Sequence, residues 1–249
     1  MNVDVQSLVV IFVAIALGSL IKGVTGSGLP QIAIPVMAIF LGVERSVVIM
    51  AIPGIVSNGW LMWRFRAHLP KTRDLPLLLP TGAVGAVAGT WLLKALDPRI
   101  LSGVLAAIIL VYVVVKWRRP ELELSPTTTR RLSPPVGLAA GTLQGATGIS
   151  GPLVTTWLHS YRLAPPVYVI ALVTMFQVFG AVQAVSLVGL GLFTPSRVVE
   201  GVLALIPMLL FLPIGARMAT RMSARTFDVW ILVLLAASAA KLAHSAIWG

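Results

Sequence analysis

Apolar residues run along this chain in long continuous stretches, and each stretch is closed by a short basic or Pro/Gly-rich break. Such runs predict helices that enter or cross a membrane, and they lack the residue-by-residue alternation of a barrel strand. The first half reads as segments at 5–21, 29–43, 46–63, 75–94 and 100–116, and the second as segments at 135–147, 152–161, 167–190, 198–215 and 227–246. Residues 118–134, RRPELELSPTTTRRLSP, are polar and Pro-rich, as a linker would be. The expected organisation is therefore a first transmembrane repeat at 1–117, a cytoplasmic linker at 118–134 and a second repeat at 135–249.

Two of these segments are too short to span. Residues 29–43 would give a helix of about 22 Å at about 1.5 Å per residue, against a hydrocarbon core of about 30 Å, and the segment after Pro152 is shorter still. Each follows a glycine-rich break. Gly23, Thr25 and Gly26 in KGVTGSGLP are matched by Gly145, Thr147 and Gly148 in QGATGISGP, with Lys22 facing Gln144 and a proline closing each motif. Further on, Gly89 precedes Arg99 at the same spacing at which Gly215 precedes Arg225. Two anchors in the same order predict an internal duplication. Five segments per half is an odd number, so the second half would enter the membrane from the opposite side. The expected fold is an all-α polytopic membrane protein of two inverted-topology repeats, each a Gly-rich broken or re-entrant helix followed by three transmembrane helices.

Composition agrees: 57% of residues are hydrophobic and 11% charged, against about 25% charged in soluble domains. The net charge of +11 invites a nucleic-acid reading until the cations are placed. Arg64, Arg66, Lys71 and Arg73 form one cluster and Lys116, Arg118, Arg119, Arg130 and Arg131 another, two spans apart. With Arg162, Arg217, Arg221 and Arg225 they put 13 of the 19 basic residues on one side, which the positive-inside rule makes cytoplasmic, including 64–73 and 116–134. Arg45, Lys94, Arg99, Arg197 and Lys241 fall on the other side. The expected location is the cell inner (cytoplasmic) membrane, with the lipid bilayer as partner and no nucleic acid. Asp4 precedes the first apolar run and no Lys or Arg does, so that run lacks a signal peptide's basic region and is read as part of the mature fold.

The chain has no cysteine, and His68, His159 and His244 lie far apart, so neither a metal centre nor a cofactor is expected. Asp4, Glu44, Asp74, Asp97, Glu121, Glu123, Glu200 and Asp228 all fall in loops or near segment ends, which argues against a buried carboxylate relay. A membrane enzyme would need a nucleophile or base against an orienting group, and none is visible. GxxGxG without a preceding strand or a following acidic residue does not read as a dinucleotide site.

The breaks carry the candidate chemistry. A helix that begins inside the membrane presents unpaired N–H groups and the positive end of its dipole, both of which favour an anion. Gly26, Gly28, Gly148 and Gly151 would let the backbone come close, Thr25, Ser27, Thr147 and Ser150 would add hydroxyls, and Lys22 would add a full charge costing about 2.5–3.5 kcal/mol at a helix centre. Among other intramembrane polar residues, Ser57, Thr155, Thr156 and Gln183 read as interhelical hydrogen-bond partners. The substrate-binding set is thus Lys22, Gly23, Thr25, Gly26, Ser27, Gly28, Gln31, Asn58, Gln144, Gly145, Thr147, Gly148, Ser150, Gly151 and Gln177. Small residues in GAVGAVAG, Gly82–Gly89, suit close helix packing, within the chain's own core or in a homodimer.

The duplicated KGVTGSGLP and QGATGISGP, each opening one half of a small membrane protein, resemble the sulfite exporter TauE/SafE family, and the segment layout resembles it over essentially the whole chain. Leu29 and Pro30 follow Gly28 where that family often continues with further glycines. The resemblance implies export of sulfite, an organosulfonate or a related small anion, here by alternating access at a central site between the repeats. The competing reading is a non-transporting scaffold or assembly subunit in which the breaks serve packing only.

Overall fold

The computed structural model describes residues 4–118, 124–218 and 224–248. Arg119, Glu121 and Glu123 of the linker and Arg221 of the last basic cluster lie outside them. Every regular element among the described residues is helical: α1 (Val5–Thr25), α2 (Leu29–Leu41), α3 (Val43–Phe65) with a 3₁₀ extension (Arg66–Lys71), α4 (Leu75–Ala95), α5 (Pro98–Arg118), α6 (Pro126–Thr147), α7 (Gly151–His159), α8 (Pro165–Gly189), α9 (Pro195–Leu203), α10 (Leu205–Met218) and α11 (Ala224–Trp248). Among the described residues, five stretches are long and apolar enough to cross a membrane: Val5–Thr25, Val43–Lys71, Leu75–Ala95, Pro165–Gly189 and Pro195–Met218.

Two departures from the sequence reading have local causes. The second part of the linker is helical: Ser125 accepts the Thr128 N–H at 3.2 Å, Pro126 occupies the first turn where a missing N–H costs nothing, and α6 therefore starts well before residue 135. The segment read as 198–215 is two helices, because Pro207 has no N–H to give the Leu203 carbonyl and the chain turns at Ala204 between them.

The helices group into two compact units. The first comprises Met1–Pro53, Leu96–Arg119 and Phe193–Gly249, and the second Gly54–Ala95 and Pro120–Leu192. In the first unit α1 packs on α10 and on α2, and α11 packs on α5 and α2. In the second, α4 packs along α6 and on α8, and Leu78, Val154, Leu158, Met175 and Phe179 are buried in one core.

In both units glycines let helices meet at backbone contact. In the first, a methyl group on Gly23 would lie 2.4 Å from the Leu212 carbonyl oxygen and 2.6 Å from the Ala216 nitrogen, and one on Gly215 would lie 2.2 Å from the Leu20 carbonyl oxygen. In the second, a methyl on Gly145 would lie 2.3 Å from the Ala86 carbonyl oxygen and 2.5 Å from the Thr90 nitrogen, and one on Gly89 would lie 2.2 Å from the Thr142 carbonyl oxygen. Gly23 stands to Gly145, and Gly215 to Gly89, as the sequence echoes paired them. The same backbone-to-backbone contact is thus built twice. In each unit it joins a helix from one half of the sequence to a helix from the other. Gly82, Gly85 and Gly89, the small-residue stripe, are used inside the second unit, against Phe179, Leu138 and Thr142 respectively.

In the second unit, Asp74 holds the start of α4 in a left-handed conformation (φ 62°), and its carbonyl accepts the N–H groups of Leu77 and Leu78. The Tyr161 hydroxyl donates to Asp74 Oδ2 at 3.0 Å and lies 3.4 Å from Ser133 Oγ, while the Arg73 guanidinium sits 4.5 Å from the tyrosine ring centroid. One buried phenol thereby fastens the start of α4 and Ser133 of α6 to the turn after α7. Tyr161→Phe removes a bond to a carboxylate and is expected to cost about 1.5–3 kcal/mol, read as a lower unfolding midpoint in detergent. On the last turns of α3, exposed Trp60 and Trp63 lie under Arg64 and Arg66, at 5.5 and 4.8 Å from ring centroid to guanidinium, an arrangement suited to a headgroup region.

Candidate functional site

α1 runs to Thr25, four residues past the end of the segment read as 5–21. Gly26 is left-handed (φ 78°) and returns its N–H to the Lys22 carbonyl at 2.7 Å. The Thr25 hydroxyl reaches the Ile21 carbonyl at 2.9 Å and the Ser27 carbonyl at 2.6 Å, and accepts the Ser27 N–H at 3.3 Å. Gly28, also left-handed (φ 103°), then starts α2, which is 13 residues and about 20 Å long. With Pro30 in the first turn, the N–H groups of Leu29 and Gln31 have no acceptor within the helix. The Gln31 side chain is buried, and its Oε1 would lie 3.5 Å from a methyl on Gly28. Lys22, on the last turn of α1, is buried to 4% exposure, unusual for a lysine.

The second unit repeats these steps with other side chains. Gly148 is left-handed (φ 70°) and returns its N–H to the Gln144 carbonyl at 2.7 Å; the Thr147 hydroxyl donates to the Leu143 carbonyl at 2.8 Å and accepts the Ile149 N–H at 3.3 Å. Ser150 and Gly151 start α7, which is 9 residues and about 14 Å long. Thr25 and Thr147 therefore do the same work, spending their hydroxyls on the backbone of the break.

Where the first break has Lys22, the second has an amide network. Gln144 Nε2 donates to Gln183 Oε1 at 3.0 Å, and Gln144 Oε1 accepts the Ser150 hydroxyl at 2.8 Å. Gln183 Nε2 donates in turn to the Gln144 and Gly145 carbonyls at 2.7 and 3.2 Å. Gln183 thus ties α8 to the end of α6, the interhelical role expected of it. Asn58 is buried on α3, and its neighbour Gly59 faces Gln177 of α8, whose amide atoms would lie 3.8 Å from a methyl there. Gln177 Oε1 and Thr174 Oγ, one turn apart on α8, are buried without a hydrogen-bond partner among the described residues. Among those residues no cluster of His, Cys, Asp or Glu could hold a metal ion.

Sequence reasoning did not pair the charges of the first unit. Arg45 Nε donates to Glu200 Oε2 at 3.2 Å and its Nη2 to Glu200 Oε1, while Arg197 Nη2 donates to Glu44 Oε1 at 2.8 Å. Glu200 does lie near a helix start, yet it is only 1% exposed. These four residues fix the start of α3 against α9, and Gly201 brings the helices together, since a methyl there would lie 2.8 Å from Ile52 Cδ1. Only the opposite signs at neighbouring positions, Glu44–Arg45 and Arg197–Glu200, hint at this in the sequence.

The family model described as Sulfite exporter TauE/SafE matches residues 10–242, from early in α1 to the last turns of α11 and through both breaks. No match was found among curated proteins or solved structures.

Proposed function

The chain belongs to the sulfite exporter TauE/SafE family, a family of membrane transporters and not of enzymes, and from that premise we propose that it exports a small oxoanion, sulfite or an organosulfonate, by alternating access. The observation that carries the site assignment is Lys22: a lysine buried to 4% exposure on the last turn before a left-handed break, with a proline-started helix next in the chain. A lysine at that turn and the N–H groups that the first turn of α2 leaves without an acceptor in the helix favour the same sign of ligand. Gly26 and Gly28 shape the approach, Thr25 braces the turn, and Ser27 and Gln31 stand beside it. Gln144, Thr147, Gly148, Ser150 and Gly151 form the matching break in the second unit, where an amide network replaces the charge.

The twofold recurrence of the Gly23–Gly215 contact as Gly145–Gly89 supports reading the halves as repeats, and the basic clusters support reading 64–73 as cytoplasmic. Each repeat would move as a body while the transported anion exchanges part of its hydration for Lys22 and backbone N–H groups.

The test is thermal stability in detergent against sulfite, sulfate, sulfoacetate, taurine, small carboxylates and chloride at matched ionic strength. One oxoanion should stabilise saturably, by about 2.7 kcal/mol at a hundred times its dissociation constant. Lys22→Gln should abolish that gain. If no anion stabilises the protein, the scaffold reading is preferred; if Lys22→Gln binds as well as the parent, the lysine has no charge role.

A further inference from the structure

Hydroxyls inside these helices follow one habit. Ser46, Thr90, Thr142, Thr147, Thr156 and Ser186 each donate to the carbonyl four residues back, at 2.7–2.9 Å. This is how a hydroxyl is satisfied in an apolar surrounding where no water is at hand. Ser19, on α1, breaks the habit, as Thr174 does on α8. It is 0% exposed, and its Oγ has no hydrogen-bond partner among the described residues, the Ile15 carbonyl included.

Its place on the helix says what the hydroxyl is near. At 100° per residue, Lys22 and Ser19 fall in one strip of α1, bounded on one side by Gly18 and on the other by Gly23. Gly18 faces α2, where a methyl would lie 2.6 Å from the Leu29 carbonyl oxygen, and Gly23 faces α10. Residues three apart on a helix are neighbours, so Ser19 stands one turn below Lys22 on the strip the two packing partners leave between them.

We infer that Ser19 is a ligand of the transported oxoanion, donating its hydroxyl to one anion oxygen while Lys22 supplies the charge. This rests on the reading of Lys22 given above. A buried hydroxyl without an acceptor disfavours the anion-free protein, and a hydrogen bond to a charged oxygen is among the stronger kinds. An orphaned donor one turn from a buried lysine suits an oxoanion, whose several acceptor oxygens can take both contacts at once.

The experiment extends the same anion panel to Ser19→Ala and Ser19→Cys, the latter keeping near-native volume with only a weak donor. Both should leave the anion-free unfolding midpoint unchanged or slightly higher, because an unsatisfied group is removed. Both should weaken the dissociation constant of the stabilising oxoanion about ten-fold or more. If the parent protein is stabilised, Lys22→Gln abolishes the effect and the Ser19 variants bind normally, the inference fails while the lysine site stands. If both Ser19 variants lose anion-free stability and keep their affinity, the hydroxyl is a structural bond and the inference is overturned. If the parent responds to no anion, both readings fall together.

Discussion

Arg45→Ala is expected to destabilise the first unit by about 3–5 kcal/mol, and Glu200→Ala by distinctly less. The asymmetry follows from exposure: the Arg45 side chain is 30% exposed and the Glu200 side chain 1%. Remove Glu200, and the guanidinium can turn toward water. Remove Arg45, and a carboxylate is left in the contact between α3 and α9 with its charge unmatched, the costly outcome for a buried ion. The double variant should recover much of the Arg45→Ala loss, because no unmatched charge remains. Unfolding of the parent, the two single variants and the double variant in detergent gives the coupling directly. Equal losses from the two single variants would show that the pair is more solvated than its burial indicates. Glu44→Ala should cost under about 1 kcal/mol, since both side chains of the Glu44–Arg197 pair are partly exposed, at 35% and 22%.

The second large effect concerns the glycine contacts. Gly141→Ala would put a methyl 1.9 Å from the Gly82 carbonyl oxygen, where the opposing atom is backbone and no side chain can swing aside. α4 and α6 would have to separate along the length that Gly137, Gly141 and Gly145 hold together. The expected loss is about 3 kcal/mol, the upper part of the range for overpacking. Gly180→Ala is the matched control: it lies inside α8 and a methyl there meets nothing within 4 Å, so it should stabilise by about 0.5–1 kcal/mol through helix propensity. Comparable behaviour of the two variants would mean that α4 and α6 are not held at backbone contact.

The all-helical, membrane-spanning character is legible in the residues because membrane helices announce themselves by run length. Gly26 and Gly148 end their helices in the left-handed conformation that only glycine adopts at little cost. The start of α6 was hidden because 118–134, closing on Pro134, read as linker, although a cap at Ser125 and a proline at the first turn are themselves a helix start. The Gln144–Gln183 and Arg45–Glu200 pairs join residues far apart in sequence, and such pairing depends on which helices meet. The orphaned hydroxyl at Ser19 could not be read from sequence at all: a serine in an apolar helix normally bonds the preceding turn, and only its surroundings show that it does not.

The crossed glycine contacts also bear on biosynthesis. Gly23 meets its partner Gly215 only after nearly the whole chain has been made, and at about 5–20 residues per second α1 waits about ten to forty seconds for α10. Throughout that interval its small-residue face, with Lys22 beside it, is open to other helices in the bilayer. The nascent protein would then depend on the insertion machinery to shelter its first helix, and slowing translation late in the message should raise misassembly more than slowing it early.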